Sequence, residues 1–184
     1  MPVVIALLRA VNLGGHNKIK MDALRELCES LGLTDPRTHL QSGNVIFRTR
    51  EHDLVRFAQR LEKAIERRCG FRTDVILRTT SEVRAAIERN PFATRQGIDP
   101  SRLLVNFLAA DPGPDARAKI LSLKAHPEEL HLAGRELYIY YTDGIGRSKL
   151  TAAVIERALK TPGTARNWNT VRKLLDIAES LELS

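Results

Sequence analysis

The order of apolar patterns in the first eighty residues constrains this chain more than any other feature. "VVIALL" at positions 3–8 is a continuous apolar run of strand length, which reads as a buried central strand. "MDALRELCESLG" then sets Leu24, Leu27, Cys28 and Leu31 at helical spacing, with Asp22 in the first turn and Gly32 at the end. "RTHLQSGNVIFRT" gives two short β-prone runs about Ser42 and Gly43, a hairpin signal. "DLVRFAQRLEKAIERRCG" follows with Leu54, Phe57, Ala58, Leu61 and Ile65 as the buried stripe of a second helix closed by Gly70, and "RTDVILRTT" is one more strand. The result is β-α-β-β-α-β, the split arrangement of a ferredoxin-like unit. "TTSEV" adds a capping-box spacing from Thr79 to Glu82, opening a short helix that Pro91 ends.

The second half repeats most of that order. "LLVNFLAA" is a strand, "PDARAKILSLK" a helix, and "EELHLAGRELYIYY" a hairpin about Gly134 in which Leu137, Ile139 and Tyr141 alternate with Tyr138 and Tyr140. "SKLTAAVIERALK" and "NTVRKLLDIAESL" are the closing helices, the first with Ser148 as its expected N-cap. The fold class expected is α+β: two ferredoxin-like (β-α-β-β-α) subdomains, a degenerate duplication in element order, with an extra C-terminal helix. The first would occupy residues 1–80 and the second 81–184, the halves being either separate or intertwined as one domain. "NPFATRQGIDPS" is the best boundary.

Composition narrows the function classes. The 184 residues are 43% apolar and 28% charged, ordinary for a globular protein. "MP" followed by a six-residue apolar run lacks the basic region and apolar length of a secretion signal, and no run approaches a membrane span, so the expectation is a cytoplasmic protein without a membrane. A net charge of +7 favours anionic partners and leans toward the first half of the chain. Cys28 and Cys69 form no CxxC pair, and His16, His39, His52, His126 and His131 show no metal-ligand spacing, so no metal or cofactor is expected. No GxSxG elbow is present, which leaves catalysis an open question.

Three segments could hold a phosphate. In the first, Gly14 and Gly15 stand between a strand and a helix, with Asn12, Lys18 and Lys20 close by, although GxGxxG and GxxxxGK[ST] are both absent. The second is "DGIGRSKL", where Arg147 and Lys149 flank the expected cap at Ser148. Cations there oppose the helix dipole by about 0.3–1 kcal/mol each, a cost that a bound anion would offset. In "TARNWNTVRKL", Arg166, Asn167 and Asn169 surround Trp168, the single tryptophan. That segment reads either as a capped and stapled helix start or as a stacking platform. Topology adds a further inference. In a β-α-β-β-α-β unit the first two strands run parallel with the third antiparallel between them, so the loop after the first strand and the hairpin share one sheet edge. Asn12, Gly14, Gly15 and Lys18 should therefore lie near Gln41, Ser42 and Asn44.

"LLRAVNLGGHNKIKMDALRELCESLGL", "LQSGN", "NPF", "DGIGRSKL" and "ARNWNTVRKL", in that order, closely resemble the bacterial domain-of-unknown-function 1697 family. The resemblance spans essentially the whole chain. It implies a cytosolic α+β protein of two ferredoxin-like subdomains, and no established activity. It also implies that the family's recurring polar positions are Arg9, Asn12, Gly14, Lys18, Gln41, Ser42, Gly43, Asn44, Lys149, Arg166, Asn167, Trp168 and Asn169. The function expected first is binding of a small anionic or phosphorylated ligand, a nucleotide among the candidates, through these loops. A nucleic-acid-binding module is the alternative, though "NVIFRT" lacks the aromatic RNP pattern. An enzyme is the third reading, with His39 as the nearest candidate base.

Overall fold

The computed structural model describes residues 1–123 and 127–184, so His126 lies outside it. Met1–Arg84 together with Lys173–Ser184 form one compact unit, and Ala85–Arg172 a second. Sequence order alone would leave the last twelve of these residues with the second half.

The first unit carries β1 (Val3–Leu8), α1 (Met21–Ser30), β2 (Thr34–His39), β3 (Asn44–Arg48), α2 (Leu54–Cys69) and β4 (Val75–Thr79). Its sheet is antiparallel throughout, in the order β2-β3-β1-β4. This is the split arrangement expected, with β1 central. Every residue of β1 is buried, which is why it reads as an unbroken apolar run. Val4, Ala6 and Leu8 face a core with Val45, Phe47, Val75 and Leu77 from neighbouring strands. Leu24 and Cys28 of α1 and Phe57, Leu61 and Ile65 of α2 close it. Phe47 meets Phe57 edge to face at 5.9 Å. The edge strand β2 contains Pro36, and its register breaks between Thr34 and Arg37, two features that blunt an open edge. Beyond β4, α3 (Thr80–Glu88) opens on a reciprocal capping box. The Thr79 N–H donates to Glu82 Oε2 at 2.8 Å, and the Glu82 N–H donates to Thr79 Oγ1 at 3.2 Å.

The second unit carries β5 (Leu103–Leu108), α4 (Gly113–Ser122), β6 (Glu129–Ala133), β7 (Glu136–Tyr140), α5 (Ala152–Leu159) and β8 (Gly163–Asn167). Its order, β6-β7-β5-β8, matches that of the first sheet position for position. Leu137, Ile139 and Tyr141 enter a core with Ile120 of α4 and Ile155 and Leu159 of α5. Tyr138 faces the other way, and its hydroxyl donates to the Ala86 carbonyl at 2.6 Å. The alternation read from "ELYIYY" therefore holds. The helix α6 (Trp168–Leu183) begins in this unit and ends among the residues grouped with the first.

Two expectations need correction. The strand β8 was not foreseen, because the residues it buries are Thr164 and Arg166 rather than apolar ones. Helix α5 starts at Ala152, not after Ser148. No helix of the described residues is long and apolar enough to cross a membrane.

Candidate functional site

One edge of the first sheet gathers the end of β1, the β2–β3 turn and the start of β4. Between β1 and α1 the chain makes a small hairpin of its own. Asn12 N–H donates to the Asn17 carbonyl at 3.1 Å and His16 N–H to the Leu13 carbonyl at 2.9 Å. Gly14 and Gly15 lie between with φ of +55° and +83°, the signature of a type I′ turn. Asn12 fastens this hairpin to the β2–β3 turn. Its Nδ2 donates to the carbonyls of Ile19 (2.9 Å) and Gln41 (2.7 Å), while its Oδ1 accepts the Ile19 N–H at 2.9 Å. Gly43 seats the turn against β1. Its carbonyl accepts the Leu8 N–H at 2.8 Å, and a Cβ there would lie 2.4 Å from Val11 Cγ2. Asn44 is buried, and its Nδ2 donates to the His39 carbonyl (2.8 Å) and Ser42 Oγ (2.9 Å). The two loops expected to share an edge are thus joined, with both asparagine amides turned to the chain itself. Lys18 and Gln41 are exposed. Burial, with Lys173 second, pushes the His39 imidazole below its ordinary value.

At the same edge, between the end of β1, α2 and the α2–β4 connection, lies a hollow of about 810 Å³. It is lined by Arg9, Ala10, Asn17, Gln59, Glu62, Lys63, Glu66, Arg72, Thr73 and Asp74. Of the residues singled out in the sequence, Arg9 alone is among them. Three cations and three carboxyl groups share its wall. Arg9 pairs with Asp74 at 3.0 Å and Arg72 with Glu66 at 2.7 Å. Thr73 Oγ1 donates to the Arg9 carbonyl at 2.6 Å, and the Arg9 N–H donates to the Asp74 carbonyl at 3.0 Å, so Arg9 is fixed at both ends. Glu62 Oε1 accepts the Val75 N–H at 2.8 Å. Burial pushes the Glu62 carboxyl above the usual carboxylate value and Asp74 adds to that, while the Val75 N–H pulls the other way. Gln59, Glu62, Lys63 and Glu66 stand at helical spacing beside the buried stripe of α2. That spacing was visible in the sequence, but it is also the pattern of a solvated helix face.

The remaining candidates belong to the second unit. Ile145–Arg147 form a single 3-10 turn, and Ser148 Oγ accepts the Leu150 N–H at 2.9 Å. Leu150 is buried, and Thr151 after it caps α5, its hydroxyl accepting the Val154 N–H. Arg147 and Lys149 therefore lie exposed ahead of the helix, and the expected conflict with its dipole does not arise. At the end of β8, Asn167 Nδ2 donates to the Ser101 carbonyl at 2.8 Å, while its Oδ1 accepts the Asn169 N–H at 3.0 Å and caps α6. Trp168 is buried and Asn169 exposed. The Arg166 guanidinium is buried, donating to Thr164 Oγ1 (2.7 Å) and the Ala165 carbonyl (2.9 Å), and burial lowers its pKa to about 10. Among the described residues no group of three or more His, Cys, Asp or Glu side chains is placed to hold a metal ion.

The sequence model for the family described as proteins of unknown function, DUF1697, matches residues 1–138. The chain belongs to the DUF1697 family. That DUF1697 match takes in the joined loops and the hollow, and it stops short of the segments at 144–149 and 166–169. The fold of this DUF1697 chain is also similar to the structure of conserved bacterial protein SP0830 from Streptococcus pneumoniae. The two chains are 23% identical over 97% of this chain and 99% of the other, with a TM-score of 0.74. No curated protein matches the sequence.

Proposed function

We propose that this protein binds a small phosphorylated ligand of nucleotide size in the hollow beside α2. The observation that carries the reading is the wall itself. Arg9, Lys63 and Arg72 can take a phosphoryl group, while Gln59, Asn17 and the carboxyl groups can take hydroxyls or amines. At about 810 Å³ the hollow falls in the range of small-molecule sites. The joined loops serve this reading as a rigid rim rather than as the phosphate cradle.

Thermal unfolding with inorganic phosphate, AMP and a sugar phosphate tests it. A ligand at one hundred times its dissociation constant adds about 2.7 kcal/mol of stability. The shift is expected to shrink severalfold in Lys63→Ala and Arg9→Ala, and to persist in Lys149→Ala. Failure of every compound to stabilise the protein would defeat the reading. A nucleic-acid role draws on the net charge of +7, although Arg25, Arg60 and Arg68 each meet a carboxylate. RNA affinity falling steeply with salt, with one sequence preferred at fixed salt, would favour that role instead.

A further inference from the structure

The three carboxyl groups of the hollow are not equivalent. Asp74 is held by the Arg9 guanidinium and Glu66 by Arg72, so each has a cation of its own. Glu62 has the Val75 N–H on one oxygen and, among the described residues, no side-chain cation bonded to it. An anion held by Arg9, Lys63 or Arg72 adds negative charge to the wall that Glu62 shares, and Asp74 already repels that carboxylate. The proton affinity of such a group rises when another negative charge approaches. We propose that Glu62 makes anion binding in the hollow proton-coupled: the ligand's phosphoryl group enters as Glu62 takes up a proton from solvent. The neutral carboxyl then gives an O–H donor toward the phosphoryl oxygens, while Oε1 keeps the Val75 N–H. This inference rests on the binding reading above. The charged groups that share the wall with Glu62 are Lys63 and Glu66 on its own helix, Arg72 and Asp74 from the connection to β4, and Arg9 from the end of β1. The raised value of Glu62 in the free protein supports the assignment, since protonation of this group is already the easier.

The test measures AMP binding by calorimetry between about pH 5 and pH 8 for the wild type, Glu62→Gln and Glu51→Gln. The phosphate of AMP itself titrates near pH 6, so the readout is the difference between proteins. Two buffers of different ionisation enthalpy give the proton uptake directly. Glu62→Gln keeps an acceptor for Val75 and loses the charge. It is expected to bind AMP severalfold to tenfold more tightly than wild type at pH 8, and equally at pH 5. Its proton uptake should fall short of the wild type's, with Glu51→Gln, a carboxylate outside the hollow, behaving as wild type. A gain of affinity is an outcome that damaged folding cannot imitate. Equal pH slopes and equal proton uptake in wild type and Glu62→Gln would overturn the proposal and leave the binding reading standing. Absence of AMP binding at every pH in all three proteins would remove both.

Discussion

Asn12 commits its whole amide to backbone groups of two loops, and its replacement should be felt well beyond its own turn. Asn12→Ala removes three hydrogen bonds and leaves the Gln41 and Ile19 groups to find water. The expected cost is about 1–3 kcal/mol, read as a lower urea midpoint with unchanged slope. Gly43→Ala should cost about 2 kcal/mol or more, because its φ of +73° is unfavourable for alanine and the new Cβ would press on Val11 and Leu8. A stability within about 0.5 kcal/mol of wild type would show that the turn relaxes freely. These residues also mark how far the candidate site was legible. Asn12, Gly43 and Asn44 stood out as ligand-type residues, yet the side chains that satisfy a ligand also satisfy a bent backbone. Composition at a turn does not separate the two uses. Arg9 was singled out and does line the hollow, whereas Glu62, Lys63 and Asp74 looked like any solvated charges until α2 and the β4 connection were set beside it.

Among the elements, those with an apolar face were readable, while of two strands without one β2 was found through its hairpin turn and β8 was missed. Five of the six elements of the first unit follow their hydrophobic periods, β2 being the exception, and the Thr79–Glu82 spacing marks the start of α3 correctly. Glu82→Ala should therefore cost about 1 kcal/mol by chemical denaturation, the value of a lost helix cap. No loss would show that this box is redundant with neighbouring contacts. "GTARN" carried no alternation of apolar residues, so β8 was hidden by a buried arginine and threonine that are strand-like only in place. The start of α5 was misplaced for a related reason. Serine is a good cap by type, but the demand to bury Leu150 overrides it, and the cap passes to Thr151.

For the molecule as a whole, ionisation of buried groups sets an upper limit on its working pH. Burial raises Cys28, Tyr138 and Tyr141 to about 12 each, above ordinary values of 9.0 for the thiol and 10.0 for the phenols. The folded chain thus holds protons that the unfolded chain gives up. The stability they contribute is complete below pH 9 and is lost as pH climbs toward 12. Arg166 acts with the opposite sign above pH 10, because its folded value is lowered to about 10. Between about pH 9 and 10 the thiol dominates, so stability should fall by at most about 1.4 kcal/mol per pH unit. Urea titrations of Cys28→Ala across that window should be flatter than those of the wild type, and equal slopes would contradict the assignment.

The grouping of Lys173–Ser184 with Met1–Arg84 has a consequence for how the protein is made. Translation delivers the residues of the second unit before the first has its last helical segment, which carries the buried Leu174, Ala178 and Leu181. On the ribosome, the first unit lacks these buried side chains until residues 173–184 have been made. Chaperone dependence should then track these residues rather than the opening strands.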